Sequence, residues 1–188
     1  GFTFLTKDNE KGIRKIQSLV KLRRSTSQAV ERGKRIHVSL GNSSILGPNN
    51  ASALIGLSAL RGAVRIGQPG DRPPLATSGN GTLTILSQDT LLAATQTTPG
   101  AAAYQAEQVQ LTGTTPLAYL TGMIPLQRSE QVATNVLAGY YGPEIALLCE
   151  EARRGGAFTL AASESLSAQA ALFAAADETL IGEEIFAL

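Results

Sequence analysis

The chain has 188 residues, of which 43% are hydrophobic and only 16% are charged. This length and composition fit one globular domain with a sizeable core and argue against a disordered chain. Its single cysteine, Cys149, excludes an internal disulfide framework and any site built from several cysteines. No apolar run reaches the roughly 18 residues that a membrane span needs, so we expect any transmembrane helix to lie outside these residues.

Charge is divided unevenly along the chain. Residues 1–35 carry a net charge of +7, whereas residues 36–188 carry −6. Apolar residues at helical spacing predict a helix over residues 7–32 that Gly33 ends. We therefore divide the chain into a basic helical arm, residues 1–34, and a single α/β domain, residues 35–188. A charge excess of this kind is typical of an arm facing an anionic membrane surface, with a solvated helix face as the alternative. The predicted membrane-facing residues are Arg14, Lys15, Lys21, Arg23 and Arg24.

After the arm, predicted strands and helices alternate. The predicted strands, in chain order, are RIHVSLG, PLATSG, AEQVQLTG, VATNVLAG and AFTLAAS. The segment TLTILSQDTLLAATQ reads as a helix, although the glycines of GNG before it leave a hairpin as an alternative. The last helix is predicted to run from LSAQAALF to the final residue, and its apolar end indicates that it continues beyond Leu188.

This alternation predicts the fold class. Strands separated by helices form a mainly parallel sheet with helices on both faces. Because the crossovers of such sheets are right-handed, we expect a three-layer, doubly wound α/β domain, Rossmann-like or flavodoxin-like, with about five strands and a basic N-terminal helix.

The candidate ligand site lies in the loops that follow the strands. In a doubly wound sheet, ligands bind beyond the carboxyl ends of the strands. The residues there are small, polar and glycine-rich, which allows backbone amides and helix N-termini to approach an anionic group of a ligand. Plain turn chemistry, and sheet-edge packing for the tyrosines, remain the alternatives. The predicted ligand-binding residues are Ser43, Ser44, Gly79, Asn80, Tyr140, Tyr141, Glu144 and Ser163.

The motifs of cofactor binding and catalysis are missing. The chain contains neither the G-x-G-x-x-G fingerprint after its first strand nor a P-loop. His37, the only histidine, lies in a predicted strand, and no G-x-S-x-G elbow supplies a nucleophile for it. We therefore expect a partly buried, hydrogen-bonded histidine, no metal and no cofactor, and the catalytic residues are unknown.

Three segments resemble a family of prokaryotic membrane proteins of unknown function. They are RSTSQAVERGKRIHVSLG, GYYGPEIALLCEEARRGG and DETLIGEEIFAL. Members of that family carry an arginine-rich helix leading into a G-[KR]-x-[IV]-H-x-S-x-G strand, and a later IGEE-[IL]-FA segment. The resemblance implies transmembrane helices outside this chain and no known activity. The matched positions are Gly33, His37, Ser39, Gly41, Gly142, Glu144, Gly182, Glu183 and Glu184.

Together these observations predict a soluble cytoplasmic domain of a membrane-anchored protein, at the cell membrane. It is expected to bind a small-molecule ligand or a protein partner without catalysis. The alternative is an enzyme that acts on a small anionic or nucleotide-like molecule at the strand-end loops. Nucleic acid is the less favoured partner, because no aromatic residues are interleaved with the basic ones in residues 7–35.

Overall fold

A computed structural model of the chain describes residues 2–48, 50–67, 72–100, 103–181 and 184, with side chains from residue 17 onward. The strands are β1 (Arg35–Gly41), β2 (Leu75–Ser78), β3 (Val109–Leu111), β4 (Val132–Tyr140), β5 (Phe158–Ala162) and β6 (Glu178–Leu180). The helices are α1 (Phe2–Glu31), α2 (Asn50–Gly67), α3 (Gly81–Thr97), α4 (Pro116–Ser129), α5 (Ile145–Arg154) and α6 (Leu166–Ala175), and a short 3-10 helix (Ala106–Gln108) precedes β3.

The strands form one sheet in the order β3-β2-β1-β4-β5-β6, and every neighbouring pair is parallel. Helices cover both faces, so the predicted three-layer, doubly wound α/β fold is confirmed. The sheet has one strand more than the sequence indicates. Its strand order is consistent with the Rossmann-like arrangement, in which the order reverses between the first and fourth strands.

The two faces of the sheet have different cores. Helices α1, α2 and α3 pack on the face that carries Val38, Leu40 and Leu160. Helices α4, α5 and α6 pack on the opposite face, which carries Leu137 and Ala161. Because side chains alternate along a strand, His37 and Ser39 of β1 lie on the α4 side. The face under α4 therefore includes buried polar side chains beside the apolar Leu137.

Helix α1 covers the half of the sheet that α2 and α3 leave open. It contacts β1, β4, β5 and β6, with Ala29 and Thr26 buried. The Ser18 hydroxyl donates to Glu178 of β6 at 2.6 Å. The second half of the basic helix thus packs on the domain, while the boundary at residue 34 stays a prediction. The side chains of Arg14 and Lys15 lie outside the described part of the chain.

The prediction of one closing helix is wrong. Helix α6 ends at Ala175, and the chain then forms β6, which pairs with β5. The Asp177 carboxylate accepts a hydrogen bond from the Thr159 backbone N–H at 2.7 Å, which fixes the turn, and Leu180 is fully buried. Residues 182, 183 and 185–188 of that predicted helix lie outside the described residues. The hairpin alternative at GNG is also absent, because Asn80 caps α3 by accepting from the Leu83 N–H at 3.0 Å.

Within the described residues, none of the helices combines the length and the apolar character that a membrane span requires.

Candidate functional site

Loops from four strands meet where the strand order reverses. The Asn42 backbone N–H donates to the Tyr140 carbonyl at 3.0 Å, which joins the loops after β1 and β4. The Gly79 N–H, after β2, donates to the Gly41 carbonyl at 2.8 Å. The Asn42 side-chain amide donates to the Thr114 carbonyl, after β3, at 3.3 Å. These bonds fix the loops relative to one another at the edge where ligands bind in folds of this type.

Close backbone approach makes this junction possible. A Cβ atom on Gly139 would lie 2.1 Å from the Leu40 carbonyl oxygen, so only glycine fits there without a shift of the strands. The Ser43 hydroxyl donates to the Leu40 carbonyl and accepts from the Tyr140 N–H, both at 2.8 Å. Ser43 therefore braces the end of β1 against β4 from within, as a buried residue.

A pocket of about 60 Å³ opens between the ends of β1 and β4. Such a volume holds roughly two water molecules, and so accommodates one functional group of a ligand rather than a whole nucleotide. The side chains around it are mostly aromatic or aliphatic, with one amide and one carboxylate. They belong to Asn42, Pro116, Tyr119, Leu120, Tyr140, Tyr141, Glu144 and Ile145, with Gly142 completing the rim.

A chain of buried hydroxyl groups leads inward from this pocket. The Tyr141 hydroxyl lies 2.8 Å from the Ser39 hydroxyl, and Ser39 lies 2.6 Å from the Tyr119 hydroxyl. Tyr119 in turn lies 2.8 Å from the Thr77 hydroxyl, which is 2.9 Å from Nε2 of His37. Two pocket-lining tyrosines and the only histidine are thus parts of one hydrogen-bonded network.

The inner end of this network is held by two amides. Nδ1 of His37 lies 2.8 Å from the Asn135 Oδ1 atom, which also accepts from the Gln127 Nε2 group at 3.1 Å. With Asn135 oriented in this way, Nδ1 carries the proton of a neutral imidazole and Nε2 accepts from Thr77. The expected hydrogen bonding of the histidine is therefore confirmed, but His37 is fully buried rather than partly buried.

Burial sets the protonation states of the network. Desolvation lowers the pKa of His37 to about 4, against a weaker opposing effect of its hydrogen bond to Asn135. Burial raises the pKa of Tyr119, and it raises the pKa of Tyr141 well above 10. At neutral pH the whole network is therefore uncharged, because burial penalises the charged form of each group.

The sequence-predicted residues separate into two groups. Tyr140, Tyr141 and Glu144 line the pocket, and the Glu144 carboxylate also accepts from the Gly142 N–H at 3.0 Å. The remaining residues do not line the pocket. Asn80 caps α3, Gly79 lies in the loop after β2, and the buried Ser163 follows β5, where its carbonyl accepts from Gln169 at 2.8 Å. Ser43 braces the strands, and Ser44 is half-buried beside it in the loop after β1.

Sequence reasoning missed two polar residues of the pocket. Asn42 lies in the loop GNSS, from which only the two serines are predicted to bind a ligand. The one sequence feature that could have indicated Asn42 is its position directly after β1. Tyr119 comes from α4, the helix that crosses from β3 to β4. No sequence pattern indicates that α4 lies over the strand-order reversal, since that depends on the order of the strands.

The strand-end loops that follow β1 to β5 contain no lysine or arginine. They carry the carboxylates of Glu144 and Glu164 as their only charged groups. Glu164 accepts from the Ser52 hydroxyl at 2.6 Å, outside the pocket. Apart from backbone N–H groups, the side chains of the pocket therefore offer one carboxylate acceptor, Glu144, and neutral groups. This arrangement favours a hydroxyl or amine group of a ligand over a phosphate.

The described residues contain no arrangement typical of a metal site or of a reactive thiol. Among the described residues, no group of three histidine, cysteine, aspartate or glutamate side chains is arranged to hold a metal ion. Cys149 is buried on α5, and burial, together with the charge of Asp177, raises its pKa to about 12. A thiol in this state is a poor nucleophile at neutral pH.

The fold and the pocket define a doubly wound α/β domain with a crevice at its strand-order reversal. Comparison of sequences adds the family: the family model of a domain of unknown function, DUF6754, matches residues 3–188, and the chain belongs to this family. No curated protein and no solved structure matches the chain.

Proposed function

We propose that this chain is a non-catalytic ligand-binding domain of a membrane-anchored protein, and that its ligand occupies the crevice between β1 and β4. The observation that carries the proposal is the hydrogen-bonded junction of four strand-end loops around a pocket at the strand-order reversal. Hydrogen bonds within the junction hold Asn42, Tyr140 and Glu144, and preorganised polar groups reduce the entropy that is lost on binding.

The charges around the crevice indicate the class of ligand. Glu144 accepts hydrogen bonds, and the Asn42 amide both donates and accepts them. Because no basic side chain stands in the strand-end loops, an anionic group would meet a carboxylate without a compensating cation. The proposed ligand therefore enters the pocket with a hydroxyl or amine group, as a polyol, a nucleoside or an amine would.

The network behind the pocket supports binding rather than catalysis. A general acid or base works best when its pKa lies near the operating pH. Burial moves the pKa of His37 down to about 4 and that of Tyr141 well above 10, so proton exchange between them is strongly unfavourable at neutral pH. Their role in the proposal is to fix the floor of the crevice.

The placement at a membrane is part of the same proposal. The excess positive charge of residues 1–35 supports a position on the cytoplasmic side, with the basic helix toward an anionic leaflet. Lys21, Arg23 and Arg24 are exposed on α1, although Lys21 also pairs with Glu178. A reporter fused to this domain in the full-length protein should be found on the cytoplasmic side, and an extracellular reporter would contradict the placement.

The crevice is tested by ligand-dependent stabilisation. Polyols, nucleosides and amines are compared with their phosphorylated counterparts by thermal unfolding, since a ligand at 100 times its Kd stabilises by about 2.7 kcal/mol. We expect an uncharged or cationic compound to raise Tm in the parent and in Glu164→Gln, but not in Asn42→Ala or Glu144→Gln. Stabilisation by phosphorylated compounds alone, or an equal response in Glu144→Gln, would rule the proposal out.

A further inference from the structure

A second concave surface lies at the opposite end of the sheet. It is a groove of about 320 Å³ between the second half of α1 and the first residues of β4 and β5. Its floor includes Ala133 and Phe158, and polar Ser25 and Gln28 line it from α1. We call it the basic groove, because four cationic side chains surround it: Lys21, Arg24, Arg32 and Lys34.

Three of these four cations have no ion-pair partner within the described residues. Lys21 pairs with Glu178, but no carboxylate in the described part of the chain pairs with Arg24, Arg32 or Lys34. The helix dipole favours Arg32 and Lys34 just beyond the end of α1, but it does not act on Arg24 in the helix interior. Like charges held around one groove repel, so local folding energetics alone do not explain this arrangement.

The geometry of α1 places these cations on one side of the helix. Residues 21, 24, 28 and 32 recur at three- and four-residue spacing and therefore form one stripe. The Ser25 hydroxyl lies 2.7 Å from that of Thr134, which holds the stripe against β4. Arg23, by contrast, lines a separate cleft between α1 and α2 together with Leu19 and Ile66. Two arginines adjacent in sequence thus face different surfaces.

We propose that the basic groove binds a phosphate-bearing anion, with an anionic lipid headgroup as its source. The lipid source rests on the membrane placement proposed above, whereas the phosphate site itself is independent of the crevice. Arginine and lysine donors suit phosphate oxygens, and the apolar floor of Ala133 and Phe158 suits the uncharged part of a headgroup. The groove thus refines the predicted membrane-facing set, adding Arg32 and Lys34 to Lys21 and Arg24 and leaving Arg23 outside.

The test compares two variants that lose the same charge. The groove variant is Arg24→Gln, Arg32→Gln, Lys34→Gln, and the control is Arg23→Gln, Arg61→Gln, Arg65→Gln, whose arginines are exposed outside the groove. Co-sedimentation at 0.1 M salt uses vesicles of phosphatidylglycerol in phosphatidylcholine. Because each basic residue near an anionic surface contributes about 1 kcal/mol, the groove variant should bind on the order of 100-fold more weakly than the parent. The control should keep most of the parent's affinity.

Soluble pyrophosphate separates the possible sources of phosphate. If it competes with the vesicles and shifts the amide resonances of Ser25 and Gln28, both the site and the headgroup source are supported. Groove-dependent binding of pyrophosphate without vesicle binding overturns the lipid source and assigns a soluble anion. Equal losses in the two variants, or no binding of either probe by the parent, overturn the groove proposal. Asn42→Ala alters the crevice but not the groove, and should bind vesicles as the parent does. The groove proposal can therefore fail or hold independently of the crevice proposal.

Discussion

The two ends of the parallel sheet differ in almost every property that decides what they can bind. At the carboxyl ends of the strands, loops without lysine or arginine close around a small pocket and carry Glu144 and Glu164. At the amino ends, the basic groove collects four cations, three of which have no ion-pair partner among the described residues. Arg35, at the start of β1, and Arg72, before β2, add further positive charge there. One end is a neutral to acidic crevice, and the other is a basic surface.

Helix direction explains part of this difference. In a doubly wound parallel sheet the crossover helices all run against the strands, so their C-terminal turns lie together at the amino ends of the strands. Arg65, Arg128, Arg153 and Arg154 all lie in such last turns, where the helix dipole favours positive charge. The fold therefore sorts some basic residues to one end for reasons of stability, but this rule does not explain the cations in the interior of α1.

The largest expected effect concerns the backbone of the crevice. Gly139→Ala would place a Cβ atom 2.1 Å from the Leu40 carbonyl, so β1 and β4 must separate at their ends. We expect a loss of about 3 kcal/mol or more in the free energy of unfolding. At the basic end, Gly33 has a φ of +63° and a Cβ atom added there would meet no atom within 4 Å, so Gly33→Ala should cost only about 1–2 kcal/mol. Denaturant unfolding measures the free energy of unfolding of both variants. Similar losses in Gly139→Ala and Gly33→Ala would contradict the predicted difference between the two ends.

The next effect is a dependence of stability on pH that originates beneath the crevice. The pKa of His37 is near 4 in the folded protein and near 6.5 when the chain is unfolded, so the unfolded state binds the proton more readily. Stability should be complete above pH 6.5 and fall by about 3 kcal/mol as the pH decreases toward 4.

His37→Gln serves as the control for this pH dependence. The variant should lose the fall between pH 6.5 and 4.5, whatever its stability at neutral pH, because ordinary carboxylates titrate mainly below that window. NMR titration of the single imidazole in the parent gives an independent check. A His37 pKa near 6.5 in the folded protein would contradict the explanation.

The sequence is sufficient for the fold where local pattern and tertiary structure agree. RIHVSLG and AFTLAAS are strands because each buries side chains on both faces, as runs of this kind do in parallel sheets. The strand β6 escapes prediction because ETL follows an alanine-rich helix without a glycine or proline between them. Pairing with β5 and the Asp177 hydrogen bond decide its conformation, and neither can be read from local propensity.

For the candidate site, sequence position identifies the correct edge of the sheet but an incomplete set of residues. Strand-end position alone leads to Tyr140, Tyr141 and Glu144, which do line the pocket. Ser43 and Asn80 have the same composition signal but support the backbone, as the alternative of plain turn chemistry expects. Strand order separates Asn80, whose loop after β2 lies away from the reversal. It does not separate Ser43, which shares the loop after β1 with Asn42 and is set apart only by its bonds to Leu40 and Tyr140.

A smaller effect distinguishes the two tyrosines of the crevice. The Tyr141 hydroxyl donates to the carbonyl of Ser39 at 2.7 Å and is buried, whereas Tyr140 is half-buried at the rim. Tyr141→Phe leaves buried acceptors without their donor and should cost about 1–2 kcal/mol. Tyr140→Phe should change stability by less than about 0.5 kcal/mol, as surface substitutions usually do. Urea unfolding of both variants would show whether the order is reversed.

The smallest predicted effect belongs to the basic end and should respond to salt. The Glu130 carboxylate lies 3.2 Å from both Arg35 and Arg72, and so joins the start of β1 to the segment before β2 and the end of α4. Its side chain is 24% exposed, so solvent screens the pairs in part. Glu130→Gln should therefore cost about 1 kcal/mol at low salt. The loss should shrink in 1 M salt, where the Debye length is about 3 Å.

Glu150→Gln, which removes the more exposed pairs with Arg153 and Arg154, is the matched control and should leave stability unchanged. A salt-independent loss in Glu130→Gln would mean that packing, rather than charge, holds this end together, and the electrostatic contrast between the two ends would then rest on the groove alone.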